Sequence, residues 1–254
     1  MAKSPEVCPD YGNWVSARLV YIPAALVLLF AGLSLLLPWL IIFAVLFFLC
    51  FIYFGYARYK FSPNGGNIQA LVQGQLLDSV EWKGIGKVID IGCGSGALTI
   101  GIAKRFPELH ITGVDNWSGG WEYSKGICEQ NSLIEKVSDR VDFQKASASS
   151  LPFEDETFHI AVSNLTFHEV GDIRDKRLLI KEALRVIRKG GSFVFQDLFL
   201  WKALYGEMED LLATIRDWGV EEVKWINTSN STFIPKALKL PFMVGTISIL
   251  VGRK

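Results

Sequence analysis

Residues 19–57 contain no Asp, Glu, Lys, Arg or His, and Ser34 is the only small polar side chain among them. A helix of a soluble protein ordinarily keeps a polar face, and this stretch has none to offer. As one helix it would be about 58 Å long at ~1.5 Å per residue. A bilayer core is only ~30 Å thick. The run therefore predicts two helices, 19–37 and 39–57, turned at Pro38, which lacks a backbone N–H and disrupts a helix interior. Arg18 precedes the run, Arg58 and Lys60 follow it, and the turn carries no charge. For a transmembrane hairpin this pattern places both ends in the cytoplasm. Trp14, Tyr21, Tyr53, Tyr56 and Tyr59 are candidates for one headgroup level and Trp39 for the other. The run is too long for a cleaved signal peptide. A re-entrant hairpin and a buried core hairpin are the alternatives.

The organisation that follows is a cytoplasmic N-terminal segment (1–18), the hairpin (19–57), a linker (58–67) and a soluble domain (68–254). The linker ends in the turn-rich FSPNGGN. In the soluble domain, Ile68, Leu71, Val72, Leu76, Leu77 and Val80 recur at helical spacing. Seven short apolar strands are expected at 87–92, 110–115, 140–146, 158–164, 192–197, 223–226 and 246–252. Helices are expected between them at 96–106, 122–134, 176–188 and 208–218, the third stopped by Gly190–Gly191. Alternation of strand and helix implies an α/β, doubly wound, Rossmann-like sheet with helices on both faces. No helix separates the last two strands, so the final one is expected antiparallel, at or near the edge.

Twenty-six basic and 26 acidic side chains cancel, so a nucleic-acid partner, which calls for a basic stripe, is not expected. Cys8, Cys50, Cys93 and Cys128 form no CxxC pair and the three histidines no HExxH. No metal site and no disulfide framework follow from them, and free thiols fit a reducing compartment.

Chemistry concentrates after the first strand. Asp90-Ile-Gly92-Cys93-Gly94-Ser-Gly96 joins that strand to a helix. Glycines let the backbone turn tightly and approach a ligand, and the helix presents free N–H groups. Asp115 ends the second strand, where a carboxylate can accept both hydroxyls of a ribose. A dinucleotide fold would prefer G-x-G-x-x-G, with Ala97 as its third small residue. The P-loop lysine is missing, which disfavours a nucleoside triphosphate.

These residues, with SSLPFEDETF (149–158), SNLTFHEV (163–170) and EALRVIRKGGSFVFQD (182–197), resemble the successive motifs of class I S-adenosylmethionine-dependent methyltransferases, most closely the ubiquinone/menaquinone methyltransferase-like group. The resemblance is strong over residues 84–197 and weaker to 254. It implies the seven-stranded methyltransferase sheet and S-adenosylmethionine as cofactor. It implies that Gly92, Cys93, Gly94 and Gly96 pass close to the methionine part, with Asp90 helping to hold its amino group. Asp115 would bind the ribose, with Asn116 and Trp117 beside the adenosine. Ser147 and Ala148 would lie near the adenine edge, although the family usually has an acid at position 147; it often has aspartate where His159 stands. Asn164 and Leu165 would line the sulfonium side, and His168 would face the acceptor.

His168 is the candidate general base; packing at a helix start is its plainer reading. Cys93 reads as a small packed residue. Trp117 and Trp121 read equally as an adenine lid or as core, and Asp197 as an acceptor-side group or a loop cap. The segment 199–205 and the loop 233–243 are apolar and aromatic, so the expected acceptor is a small, lipophilic molecule such as a quinone, lipid or hydrophobic metabolite, met at the membrane. A protein methyltransferase and a non-catalytic cofactor-binding scaffold are the competing classes.

Overall fold

The computed structural model describes residues 8–118 and 123–254. The chain divides into two compact units, each considered by itself: one of residues 12–72, the other of residues 8–11, 73–118 and 123–254.

The smaller unit is a helical hairpin. Helix α1 (Arg18–Leu33) and helix α2 (Ile41–Phe61) are joined by a turn and a short 3₁₀ segment, Pro38–Leu40. The first arm stops four residues earlier than its hydropathy predicts. Leu37, forced out of the helical region by the proline that follows it, is extended at φ −129°. The Ser34 hydroxyl donates to the Ala31 carbonyl, a local bond that favours helix termination. Pro38 thus opens the second arm instead of forming the turn, as suits a residue without an N–H. At ~1.5 Å per residue α1 is about 24 Å long and α2 about 32 Å. Among the described residues, Pro38–Phe61 is the one helix long and apolar enough to cross a bilayer, with a mean hydropathy of 2.6. Phe30 packs on Phe43 and Phe47, with ring centroids 5.3 and 5.6 Å apart. No residue of α1 is buried, and Leu35 and Leu36 are 86% and 79% exposed. Because α2 runs to Phe61, the predicted linker shortens to residues 62–67. Its last turn is tied down: Asn13 Nδ2 donates to the Arg58 carbonyl and Arg58 to the Val15 carbonyl.

The larger unit carries the seven-stranded sheet, in the order β3-β2-β1-β4-β5-β7-β6. The strands are β1 (Gly86–Ile91), β2 (Leu109–Asp115), β3 (Val141–Lys145), β4 (Phe158–Asn164), β5 (Ile187–Asp197), β6 (Glu222–Asn227) and β7 (Ser248–Arg253). Strands β1 to β5 pair in parallel; β7 lies antiparallel between β5 and β6. The final strand therefore sits next to the edge, as the missing helix before it predicts. Helices α3 (Ile68–Asp78), α4 (Ala97–Arg105), α5 (Lys125–Ile134), α6 (Arg177–Arg185), α7 (Lys202–Tyr205) and α8 (Met208–Asp217) complete the alternation. The part of α3 from Gln73 onward belongs to this unit. Two apolar layers sandwich the sheet. Ile89, Ile91, Phe193 and Phe195 face Leu179, Ala183 and Leu211 on one side. Val88, Val162, Val194 and Ile249 face Leu76, Ile100 and Ile102 on the other. Such two-faced burial is what a parallel sheet requires.

One prediction is overturned within this unit. The glycine pair 190–191 does not stop a helix. Helix α6 ends at Arg185 and β5 begins at Ile187, two residues later. Phe158 pairs with Ile187 but Ile160 with Ser192, so residues 188–191 bulge out of the ladder. Gly190 has φ +71°, and a Cβ on Gly191 would stand 2.7 Å from the His159 carbonyl oxygen. The glycines serve the bulge, which explains why helix-stop chemistry sits inside a strand.

Phe195 is fully buried, stacked on Phe193 and edge-on to Phe167. Phe195→Ala is expected to lower the unfolding free energy by about 3–5 kcal/mol. Denaturant titration measures this; a loss below about 1 kcal/mol would contradict the packing described.

Candidate cofactor and acceptor site

The strand order reverses between β1 and β4, and ligands of open α/β sheets bind beyond the carboxyl ends of strands at such a switch point. The loop after β1 is built for close approach. Gly92, Gly94 and Gly96 all have positive φ (76°, 56° and 82°), the left-handed region that disfavours side chains. A Cβ on Gly92 would lie 2.0 Å from Thr166 Oγ1, in the loop after β4. Gly96 caps α4, whose first N–H groups face the same edge.

Asp115 fastens this loop. Its Oδ2 accepts the Gly94 N–H at 2.9 Å, and its Oδ1 accepts the Trp117 N–H at 2.7 Å. The Trp117 indole Nε1 donates to the Gly94 carbonyl at 2.9 Å, which Cys128 Sγ also approaches. An ionised carboxylate offers about four lone-pair sites, so capacity for two ribose hydroxyls remains. Trp117 is held at φ +43°, in a region non-glycine residues seldom occupy. Asn116 beside it is exposed. Trp121 lies outside the described residues.

Asp90 is 1% exposed, and its Oδ2 accepts the Thr99 hydroxyl at 2.6 Å. Burial drives its pKa up to about 7, Thr99 pulls against that shift, and the Asp115 charge adds to it. Cys93 is buried, and desolvation pushes its thiol well above the usual range, so it stays neutral and serves through its backbone.

Contacts from distant sequence support the loop, and the sequence gives no sign of them. Ser95 Oγ donates to the Tyr11 carbonyl at 3.0 Å. The Asn131 amide, from α5, donates to the Asp10 and Ser95 carbonyls and accepts the Asp10 N–H. Tyr11 donates to Glu135. The segment at residues 10–11 is therefore stitched to the glycine loop and to α5.

At the predicted adenine edge, Ser147 replaces the family's usual acid, and Ala148 is buried beside it. Ser149 donates to Asp172 Oδ2 at 2.5 Å, and the Ser147 hydroxyl lies 2.7 Å from Ser149 Oγ and 3.2 Å from the same carboxylate oxygen. The Ser149 bond holds the Asp172 carboxyl below the ordinary carboxylate range. A carboxylate is thus present after all, delivered by a loop 25 residues onward.

Asn164 and Leu165 close β4. Leu165 is held at φ +53°, and its N–H donates to the Gln196 carbonyl at 2.7 Å. His168 follows in a single 3₁₀ turn. Its Nδ1 lies 2.8 Å from Asp197 Oδ1 and its Nε2 3.3 Å from Glu169 Oε1. Asp197 is fully buried and also accepts the Phe167 and Leu198 N–H groups. Burial acts to lower the His168 pKa, but the two carboxylates outweigh it and raise it to about 10. Burial, and then the charge of Asp197, push the Tyr205 phenol upward, so it stays neutral. His159, at the start of β4, accepts the Lys87 N–H and belongs to the opposite end of the sheet. Among the described residues no His, Cys, Asp and Glu cluster could hold a metal ion.

Residues 89–195 match the family model described as a methyltransferase domain. The uncharacterized methyltransferase YcgJ of Bacillus subtilis is 28% identical over 124 residues, 49% of this chain and 45% of its own. Its crystal structure superposes with a TM-score of 0.51 at 21% identity, covering 62% of this chain and 71% of that one. The 27-O-demethylrifamycin SV methyltransferase of Amycolatopsis mediterranei is 30% identical over 116 residues, 45% of this chain and 39% of its own. Geranyl diphosphate C-methyltransferase of Streptomyces coelicolor, solved with Mg²⁺, geranyl diphosphate and S-adenosyl-L-homocysteine, superposes with a TM-score of 0.57 at 14% identity, over 75% of this chain and 80% of that one. The chain spans less than half the length of the two relatives matched by sequence.

The raised pKa of Asp90 has a measurable consequence. A carboxyl with a higher pKa folded than unfolded binds more protons in the folded state, so stability falls as pH rises from about 4 to about 7. Asp90→Asn is expected to have a larger unfolding free energy than the parent at pH 8, by up to roughly 4 kcal/mol, and so to melt higher there, with the difference gone near pH 4. Equal melting at both pH values would contradict the buried charge. Motif order, glycine-loop geometry and sheet topology agree with the match of residues 89–195 to the methyltransferase-domain family model.

Proposed function

We propose that the chain is a membrane-anchored methyltransferase that moves the methyl group of S-adenosylmethionine to a small lipophilic acceptor, working from the cytoplasmic face. The observation that carries the reading is the pairing of a complete cofactor loop with a hairpin whose large apolar side chains face outward. A contiguous apolar surface of that size marks a membrane or partner site. Arg18 and Lys60 flank the hairpin as the cytoplasmic-ends reading requires. Phe242, 51% exposed, and Leu240 lie beside Lys239 on the apolar loop 233–243, where they would enter the interface.

The residues present suit the cofactor. Asp115 would hold the ribose, the loop from Gly92 to Gly96 would lie against the methionine part, and Asp90 would face its ammonium, which favours the ionised carboxyl. Ser147, Ala148 and Asp172 would border the adenine. Bound S-adenosylmethionine supplies a methyl group on a positively charged sulfur, which a nucleophile displaces in line. The chain's part is then to orient the nucleophile and exclude water. Asn164 and Leu165 would do this on the sulfonium side. His168 would face the acceptor, its ring oriented by Asp197. With its pKa near 10, His168 carries its proton at neutral pH and removes a proton from the acceptor only in alkaline solution. Acceptors whose reacting atom carries no proton to be removed are therefore favoured at pH 7.

Two measurements test the reading. The full chain, incubated with liposomes of anionic and zwitterionic lipid, is expected to float with them and to resist alkaline carbonate extraction. Release by carbonate would contradict the anchor. Methyl transfer to a phenolic acceptor is expected to rise with pH toward a midpoint near 10, and His168→Gln to abolish that limb with about a hundredfold loss at pH 9.5. An unaltered profile would remove His168 from the chemistry.

A further inference from the structure

The carboxyl end of the sheet carries a row of buried polar groups whose side-chain atoms bond nothing among the described residues. Asn164 on β4 is the direct neighbour of Gln196 on β5. Side chains alternate along a strand, so Asn164 shares a face with Val162 and Gln196 with Val194, both in the layer packed by α3. Gln196 is 0% exposed, yet neither its Nε2 nor its Oε1 has a hydrogen-bond partner among the described residues. The same holds for Asn164 Oδ1 and for the buried hydroxyl of Thr228. Buried amides in native proteins are nearly always bonded, and an unbonded one calls for a specific explanation.

Location supplies that explanation. The cofactor loop follows β1, β4 is its neighbour, and β5 lies one strand beyond. At ~4.8 Å per strand, Gln196 stands roughly 10 Å from the end of β1, on the side where a methyl acceptor must lie. Leu165, in the loop after β4, bonds across to the Gln196 main chain.

We propose that Gln196, with Asn164 beside it, is the specificity-determining pair of the acceptor site, and that it reads a neutral hydrogen-bonding head group, a hydroxyl, carbonyl or amide. This rests on the methyltransferase reading above and names the substrate class for it. The unpaired atoms comprise one donor group and acceptor oxygens, which suit a group that both accepts and donates. The strand ends here, residues 163–166, 195–199, 226–229 and 246–249, hold no Lys or Arg. An anionic head, a carboxylate or a phosphate, would find no unpaired counter-charge there, because the protonated His168 is already held between Asp197 and Glu169. A bare hydrocarbon would leave the amides unpaired. The acceptor is thus amphiphilic, with an apolar body and an uncharged polar end.

The test uses the full chain in detergent, loaded with S-adenosyl-L-homocysteine and titrated by calorimetry with eight-carbon probes that differ only at the head: octane, 1-octanol, octanamide, octanoate and octyl phosphate. Octanol and octanamide are expected to bind at least about tenfold tighter than the other three, the effect of one good hydrogen bond to a buried partner. Gln196→Leu is expected to erase that preference while S-adenosyl-L-homocysteine affinity is unchanged and the melting temperature holds or rises, since an orphan amide has been removed. Gln196→Met repeats the test should the leucine variant fail to fold. Preference for octanoate or octyl phosphate, equal or absent binding of all five probes, or an unchanged preference in the variants overturns the proposal. Failure of the parent to bind S-adenosyl-L-homocysteine would instead overturn the methyltransferase reading beneath it.

Discussion

One carboxylate organises the catalytic end of the sheet. Asp115 closes β2 and takes the Gly94 N–H with one oxygen and the Trp117 N–H with the other. It thereby joins the loop after β1 to the segment after β2, the strand that flanks β1 on the side away from the strand-order reversal. The glycines make this possible because a side chain at Gly92 would collide with Thr166. The ordering entropy of a loop with so many glycines is large, and fixed acceptors such as Asp115, together with the Asn131 clasp, offset it. A loop held in this way meets a ligand with its N–H groups already aimed, which spares the cost of ordering on binding.

Charge divides the site into two halves. On the side proposed for the cofactor, the carboxyls of Asp90 and Asp115 would suit an ammonium, a sulfonium and ribose hydroxyls. On the side proposed for the acceptor, Asp197 and Glu169 grip His168 tightly enough to hold its proton near pH 10, and the amides of Gln196 and Asn164 would supply neutral polarity. The Cys93 and Tyr205 protons are held by burial. Burial brings the Asp90 carboxyl up to about 7.

Much of the fold is legible in the sequence because strands buried on both faces must be continuous apolar runs and the alternation rule leaves few topologies. The site's own loop is legible because Gly92, Gly94, Gly96 and Asp115 are demanded by backbone geometry. The errors have local causes. The end of α1 is set by the conformational restriction on Leu37 before proline, which hydropathy does not register. Gly190–Gly191 looks like a helix stop because a bulge and a helix stop use the same residue for the same positive φ. Partnerships across long separations are not legible at all. Asp172 reaches Ser147 from 25 residues away, and Asn131 reaches Asp10 across 121. Gln196 reads simply as a polar residue near a strand end until its surroundings show that nothing bonds it.

The central claim is that Asp115 and the loop it fastens hold S-adenosylmethionine. Isothermal titration of the full chain and of Asp115→Ala with S-adenosylmethionine tests it most directly. The account predicts saturable binding by the parent and at least a tenfold loss in the variant, each removed hydrogen bond to a charged partner being worth about 1.5–3 kcal/mol. Equal affinity in a variant that melts like the parent would contradict it.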